Sequence, residues 1–175
     1  MSFLVHLPEL NNLINQTSNR EFLFYRMAST GSSHYPSAEF LNLFDKENDQ
    51  RYRLFALKAL GYATTVGGVR HNDGVQTYYY RDSKMVGNQG LTYPELLLMK
   101  AEANARLNNL SAALSDLNLL RKYRYAANVA LLPNGSSLNQ DQLLEEILKE
   151  RRRELPMGTF QRTFDIKRLA LDAGK

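Results

Sequence analysis

Cysteine and tryptophan are absent from the 175 residues, and histidine occurs only three times. Without cysteine there is no disulfide, no thiolate metal site, no thiol nucleophile and no residue to carry a lipid. The histidines, His6, His34 and His71, stand far apart, and none falls in a metal-ligand spacing. No apolar run approaches the ~20 residues that a membrane-spanning helix needs. The first residues, Met1 to Glu9, lack the basic region and apolar core of a secretory signal. Also missing are HExxH, GxSxG, Walker A and GxGxxG patterns, and Gly67-Gly68 alone reads as a turn. These absences argue against an enzyme, and no cofactor or metal is expected. Compartment is not readable from the chain directly.

What is there is the composition of a globular domain: 43% hydrophobic and 23% charged residues. The length suits one domain. The net charge of +4 is unevenly placed, with residues 1–50 carrying three Lys/Arg against six Asp/Glu and residues 51–100 carrying seven against three. Residues 101–175 carry twelve against nine. A basic second half can attract phosphate, which makes nucleic-acid binding one reading. Acids and bases alternate there, however, so pairing along helices accounts for most of the arginines and no nucleic-acid partner is expected.

Two textures divide the chain. Residues 1–90 are irregular. Ser37 is placed to cap a short helix carrying Phe40, Leu41 and Phe44, with Pro36 before it. Arg51 to Leu57 and Gln76 to Arg81 have strand-like composition, and the glycines and Asn72-Asp73-Gly74 between them predict a ragged hairpin. Residues 91–171 are helical. Thr92-Tyr93-Pro94-Glu95 is a capping box with proline in the first turn. The helix it opens carries Leu96, Met99 or Lys100, Ala103 and Leu107 on its apolar face, with Leu97 and Ala101 alongside. After Asn108-Asn109 a second helix carries Leu110, Ala113, Leu114, Leu117 and Leu120, and so short a connection makes the two antiparallel neighbours. Pro133 to Ser137 marks a loop, and Asn139 to Gln142 caps a third helix carrying Leu143, Leu144, Ile147, Leu148, Arg151 and Leu155. Pro156-Met157-Gly158 ends it, and a fourth helix is expected over Phe160 to Leu171, with Phe164, Ile166, Leu169 and Leu171 apolar. The expected fold is mainly α: tetratricopeptide-like antiparallel helix hairpins, with an irregular N-terminal part holding short strands, in one unit spanning 1–175. Such hairpins need neighbours to cover both faces.

Two constellations stand out. In Glu150-Arg151-Arg152-Arg153-Glu154-Leu155, Glu150 and Arg153 or Glu154 share one helix face while Arg151 and Leu155 share another. The arginine fork suits bidentate pairing with a carboxylate on a facing helix, such as Glu102 or Asp165. An anion site is the functional reading and a register-fixing ion-pair network the structural one. The interleaved acids favour the second, since they compete with any phosphate. Arginines beside Glu150/Glu154 and Glu145/Glu146 lower carboxylate pKa values, making these pairs poor general acids. The second constellation is Tyr78-Tyr79-Tyr80, with Tyr62 and Tyr35 elsewhere. In a strand Tyr78 and Tyr80 share one side and Tyr79 takes the other. Exposed, such rings are platforms for sugar; buried, they pack on the helical layer. Both readings stay open.

Several of these segments resemble the SusD/RagB family. Leu91 to Ala103, ending Ala101-Glu102-Ala103, is similar to that family's R-x-x-E-x-x-L-x-x-A-E-A helix, and Ala113-Leu114 with Leu117 to Arg121 resembles the helix that follows. Glu150 to Leu155 and Phe164-Asp165-Ile166-Lys167-Arg168 resemble E-R-R-x-E-F/L and F-D-L-x-R, in the same order. Upstream, Pro36-Ser37 and Asp49-Gln50-Arg51 resemble P-S and D-x-R. Thr163 stands where the family usually has tryptophan. The resemblance implies the C-terminal portion of an outward-facing outer-membrane lipoprotein, whose signal, lipid-bearing cysteine and closing segment lie outside these residues. It implies non-catalytic binding of a glycan or other nutrient, with a SusC-like TonB-dependent transporter as partner. It carries Glu102, Glu150, Arg153, Glu154, Asp165 and Arg168 over as structural ion-pair positions. A helix-repeat scaffold for protein partners is the alternative.

Overall fold

A computed structural model describes residues 37–52, 57–60, 63–72, 76–79, 91–155 and 161–172. The fold is mainly α. Helix α1 (Ala38–Leu41) is opened by Ser37, whose hydroxyl accepts from the Phe40 amide at 3.1 Å. Its Phe40 and Leu41 are buried together with Phe44, and the Phe40 and Phe44 rings meet edge to face at 5.0 Å.

Four short strands follow: β1 (Leu57–Leu60), β2 (Ala63–Val66), β3 (Val69–Asn72) and β4 (Gln76–Tyr79). They form two antiparallel ladders, β1 with β4 and β2 with β3, the second nested in sequence within the first. Gly67 and Gly68 both have positive φ, 59° and 79°, which a two-residue hairpin turn requires and which glycine supplies without a steric penalty. The expected strand starting at Arg51 begins instead at Leu57. Arg51 and Tyr52 lie in a tight helical turn because the Asp49 carboxylate accepts from the Arg51 amide at 3.0 Å, closing the chain on itself.

The helical layer comprises α2 (Tyr93–Arg106), α3 (Leu110–Arg121), α4 (Gln140–Glu154) and α5 (Gln161–Leu169). Thr92 caps α2 by accepting from the Glu95 amide at 3.2 Å, with Pro94 in the first turn. The Glu95 carboxylate points away from the cap, toward Arg151 and Gln161. Asn108 reverses the chain after α2 in the left-handed region, φ 61°, a conformation asparagine tolerates better than most residues. Helices α2 and α3 then pack antiparallel, and α4 lies against both. Their shared core is Leu97, Leu98, Ala101 and Ala105 of α2, Ala113, Leu117 and Leu120 of α3, and Leu143, Leu144 and Ile147 of α4. Each buried leucine contributes about 1.5–3 kcal/mol, and the alanines let the axes approach.

The core face of α2 is therefore rotated from the expected one. Leu96, Met99 and Leu107 are exposed. The helix carries apolar residues nearly all round, so spacing alone does not single out a face; the small residues Ala101 and Ala105, one turn apart, select it. Helix α5 departs further: Phe164, Ile166 and Leu171 are exposed, and Asp165 is its buried residue. Pairing with arginine, described below, draws that carboxylate inward and turns the apolar neighbours out.

A full capping box opens α4. Asn139 Oδ1 accepts from the Gln142 amide at 2.9 Å, and Gln142 Oε1 accepts from the Asn139 amide at 3.0 Å. Asn139→Ala removes the Oδ1 acceptor for the Gln142 amide, while the backbone amide at 139 can still donate to Gln142, and is expected to lower stability by about 1 kcal/mol; Asn139→Asp retains the cap. Urea midpoints at unchanged slope measure the difference.

Candidate functional site

The charged C-terminal turn of α4 faces two ways, and a separate network lies on each side. On the first side is a buried clasp. Asp49 folds over Arg51, with Oδ1 accepting from Nε at 2.9 Å and Oδ2 from Nη2 at 2.7 Å. Arg51 then spans two carboxylates one helical turn apart: Nη2 lies 2.6 Å from Glu150 Oε1 and Nη1 lies 2.8 Å from Glu154 Oε2. The side chains of Arg51 and Glu150 are 2% and 0% exposed. Glu150 Oε2 also receives Arg153 Nη2 at 3.0 Å, Arg121 Nη1 at 3.3 Å and the Tyr125 hydroxyl at 3.4 Å. Glu154 Oε1 accepts from Arg124 Nη2 at 2.8 Å. The Arg121 guanidinium sits 4.0 Å from the Tyr125 ring centre, a cation–π contact that covers the cluster from one side.

Backbone bonds fix the geometry. The Gln50 amide donates to Arg124 O and the Ala126 amide to Asn48 O, both at 3.0 Å, so residues 48–50 are pinned to the chain after α3. Arg121 Nε donates to Ala130 O and Arg153 Nη1 to Leu43 O, tying in the loop after α3 and the turn after α1.

Burial pushes the Glu150 carboxyl up, but the combined charges of Arg51, Arg153 and Arg121 outweigh it and bring its pKa down to about 2. For Glu154 burial is likewise overcome, here by Arg124 and Arg51, and its pKa falls below the usual carboxylate range. Burial and Glu150 push the Tyr125 phenol up. Both carboxylates are thus held as anions, with their charge already matched, which suits a structural lock and disqualifies them as proton donors near neutral pH.

The second network joins α2, α4 and α5. Arg151 Nε donates to both oxygens of Asp165 at 3.0 and 2.9 Å, and Arg168 Nε donates to Asp165 Oδ1 at 2.8 Å. Arg168 also forks onto Glu102, with Nη1–Oε1 at 2.6 Å and Nη2–Oε2 at 2.9 Å. Arg106 reaches Glu102 from one turn along α2. These pairs dock α5 on α2 and floor an open groove of about 560 Å³ between them. Its lining includes Leu91, Met99, Phe164 and Gln161.

The six charged residues singled out in the sequence are thus brought into two groups: Glu150, Arg153 and Glu154 in the clasp, Glu102, Asp165 and Arg168 under the groove. Arg51, Arg121, Arg124 and Tyr125 complete the clasp and were not among those six. The available signal was Asp49-Gln50-Arg51, whose carboxylate and guanidinium are close enough in sequence to bond each other. Tyr78 and Tyr79 are consecutive backbone positions of β4, opposite Lys58 and Leu57. Tyr35, Tyr62 and Tyr80 lie outside the described residues. Among the described residues no group of three His, Cys, Asp or Glu side chains is arranged to hold a metal ion, and no helix is long and apolar enough to cross a membrane.

The clasp and the groove both fall within residues 47–174, the span over which the family model of the SusD family matches. The chain belongs to the SusD family. The SusD-type helical layer is also seen in a solved structure, a SusD-like carbohydrate binding protein from Bacteroides vulgatus ATCC 8482. The two share 23% identity and a TM-score of 0.58 over 90% of this chain, which establishes a common fold. This SusD-family chain spans 36% of the length of that structure. A search of curated protein sequences gave no match. The D-x-R turn and the E-R-R-x-E helix end lie within the family match, while Ser37 and α1 precede it.

Proposed function

We propose that the chain forms the helical scaffold of a non-catalytic protein that binds a glycan or other nutrient at the outer face of the outer membrane. In this reading it hands the ligand to a TonB-dependent transporter and is anchored through lipid carried elsewhere in the protein. The observation that carries the reading is membership of the SusD family, and the carbohydrate-binding description of the structural relative supports the ligand class. The clasp agrees with a scaffold role, because its carboxylates are consumed by arginines rather than offered to a substrate.

Titration calorimetry tests it, using this chain and any longer protein that contains it against neutral oligosaccharides of glucose, galactose, mannose and xylose. Saturable heat with at least one sugar, and no change in that sugar's chain length on prolonged incubation, is the expected result. Shortened products would overturn the non-catalytic part, and silence across the panel would overturn the carbohydrate part.

A protein-contact reading has its own support in Leu96, Met99 and Leu107, which α2 leaves exposed. Under the transporter reading this face is an interface as well. Co-purification of the intact protein with an outer-membrane transporter, lost when these three residues are changed to serine, is the outcome that favours it.

A further inference from the structure

The loop between α3 and α4 holds the one Asn-Gly step of the sequence, Asn134-Gly135. Packing explains the glycine. Residue 135 is buried against α3, where a Cβ would stand 2.6 Å from Leu114 Cδ1. The bare position has a chemical consequence as well. With no side chain to shield it, the Gly135 nitrogen can approach the carboxamide of the residue before it. Asn134 is exposed, so base and water reach that carboxamide from solvent.

The step open to such a pair is a cyclisation. Base takes the proton from the Gly135 amide, the nitrogen bonds to Asn134 Cγ, and the Cγ–Nδ2 bond breaks as ammonia leaves with a proton. Water then opens the imide ring. Hydrolysis at Cγ gives aspartate, and hydrolysis at the main-chain carbonyl carbon gives isoaspartate, whose backbone runs through Cβ and Cγ. In sum water replaces ammonia, and nothing is oxidised or reduced. The folded loop opposes this in three ways. Ring closure needs the Gly135 nitrogen on the same side of the Cα–C bond as Asn134 Cβ. At φ 54° and ψ 19°, a left-handed conformation that asparagine tolerates, the nitrogen is turned toward the opposite side. The Gly135 amide proton is also engaged, donated to Leu132 O at 3.1 Å. Lastly, the Asn134 carbonyl accepts from the Ser137 amide at 2.9 Å and from the Ser137 hydroxyl at 2.8 Å. The peptide plane cannot swing the nitrogen round without breaking these bonds.

We infer that Asn134-Gly135 is a self-modifying site that the seated loop keeps silent, so that the imide closes only in molecules whose turn over residues 132–137 has opened. Loops open locally without global unfolding. Isoaspartate lengthens the main chain within the turn and adds a negative charge, so the Ser137 bonds do not re-form in the same geometry. An opening of this loop is thereby recorded in the covalent structure.

The test compares rates. The protein is held folded, and unfolded in guanidinium chloride, in the same mildly alkaline buffer, then cut with trypsin. The peptide Tyr125–Lys149 carries Asn128, Asn134 and Asn139, and fragment-ion sequencing assigns any conversion to one of them. In the unfolded chain Asn134 is expected to convert to aspartate and isoaspartate ahead of Asn128 and Asn139, which no glycine follows. In the folded protein that conversion is expected to be slower by about tenfold or more. Leu114→Ala combined with Ser137→Ala removes the side chain beneath Gly135 and the hydroxyl on the Asn134 carbonyl. With helicity retained by circular dichroism, this variant is expected to convert severalfold faster than the parent when folded and at the parent's rate when unfolded. Equal folded and unfolded rates in the parent overturn the inference, as does an unfolded chain in which Asn134 converts no faster than Asn128. A folded double variant that converts no faster than the parent overturns the loop's part in it.

Discussion

Glu150→Ala is expected to lower the unfolding free energy by about 3–5 kcal/mol, the usual cost of removing one partner from a buried ion pair. The physical reason is what remains. Arg51, Arg153 and Arg121 all direct a guanidinium at Glu150, and its side chain is fully buried. Truncation leaves Arg153 and Arg121 without their buried carboxylate and Arg51 with only Asp49 and Glu154, and the Tyr125 hydroxyl also loses its acceptor. Water or a local shift of α4 must then relieve them, and either one disrupts the packing of Ile147 on the preceding turn. Denaturant unfolding followed by circular dichroism measures the loss. Glu145→Ala is the matched control: it sits on the same helix, pairs with Lys149 at the surface and is mostly exposed, so a change within about 0.5 kcal/mol is expected. Equal effects in the two variants would contradict the buried-clasp account.

Acidification is expected to dismantle the same clasp. The folded pKa of Glu150 is about 2, below its ordinary value of 4.5, so the unfolded chain binds the proton first as pH falls. The stabilisation is fully present above about pH 4.5 and is lost progressively as pH drops toward 2. For Glu150 alone the difference amounts to about 3 kcal/mol. Glu154 and Glu102 are lowered as well and add losses of the same sign as pH falls below about 4.5. Urea midpoints at pH 6, 4 and 2.5 (each to about 0.1 unit) should fall steeply between the last two. In Glu150→Gln, where that position no longer titrates, the acid limb should be visibly shallower. A variant with the same acid limb as the parent would show that other groups control it.

The helix ends were legible in the sequence because capping chemistry is local. Thr92 with Pro94, Asn139 with Gln142, and Ser37 before α1 each act within four residues, so reading along the chain is enough to find them. The choice of buried face on α2 was not legible, since Leu96, Leu97, Leu98 and Met99 surround the helix and only the partner helix decides among them. Arg51 was hidden for a related reason. Its neighbours Tyr52, Leu54 and Phe55 give the segment strand-like composition, while the interactions that shape it come from Asp49 beside it and from Glu150 and Glu154 a hundred residues away. Asp165 shows the limit of hydrophobic periodicity: on α5 the residue that goes inward is the charged one, because two arginines receive it there. Of the tyrosines, the sequence offered two readings for the side chains, and the strand positions of Tyr78 and Tyr79 are compatible with either.

The span between Arg51 and Glu154, 103 residues, also has a meaning in time. A ribosome adds about 5–20 residues per second, so on a nascent chain Arg51 is made roughly 5–20 seconds before the carboxylate it will hold. Helices α2 and α3, which are neighbours along the chain, can pair during that interval. The segment around Asp49 and Arg51 cannot find its seat until the end of α4 has left the exit tunnel. Wherever the chain folds, the clasp closes only once Glu150 and Glu154 are present, and a chain ending before them leaves Arg51 held by Asp49 alone.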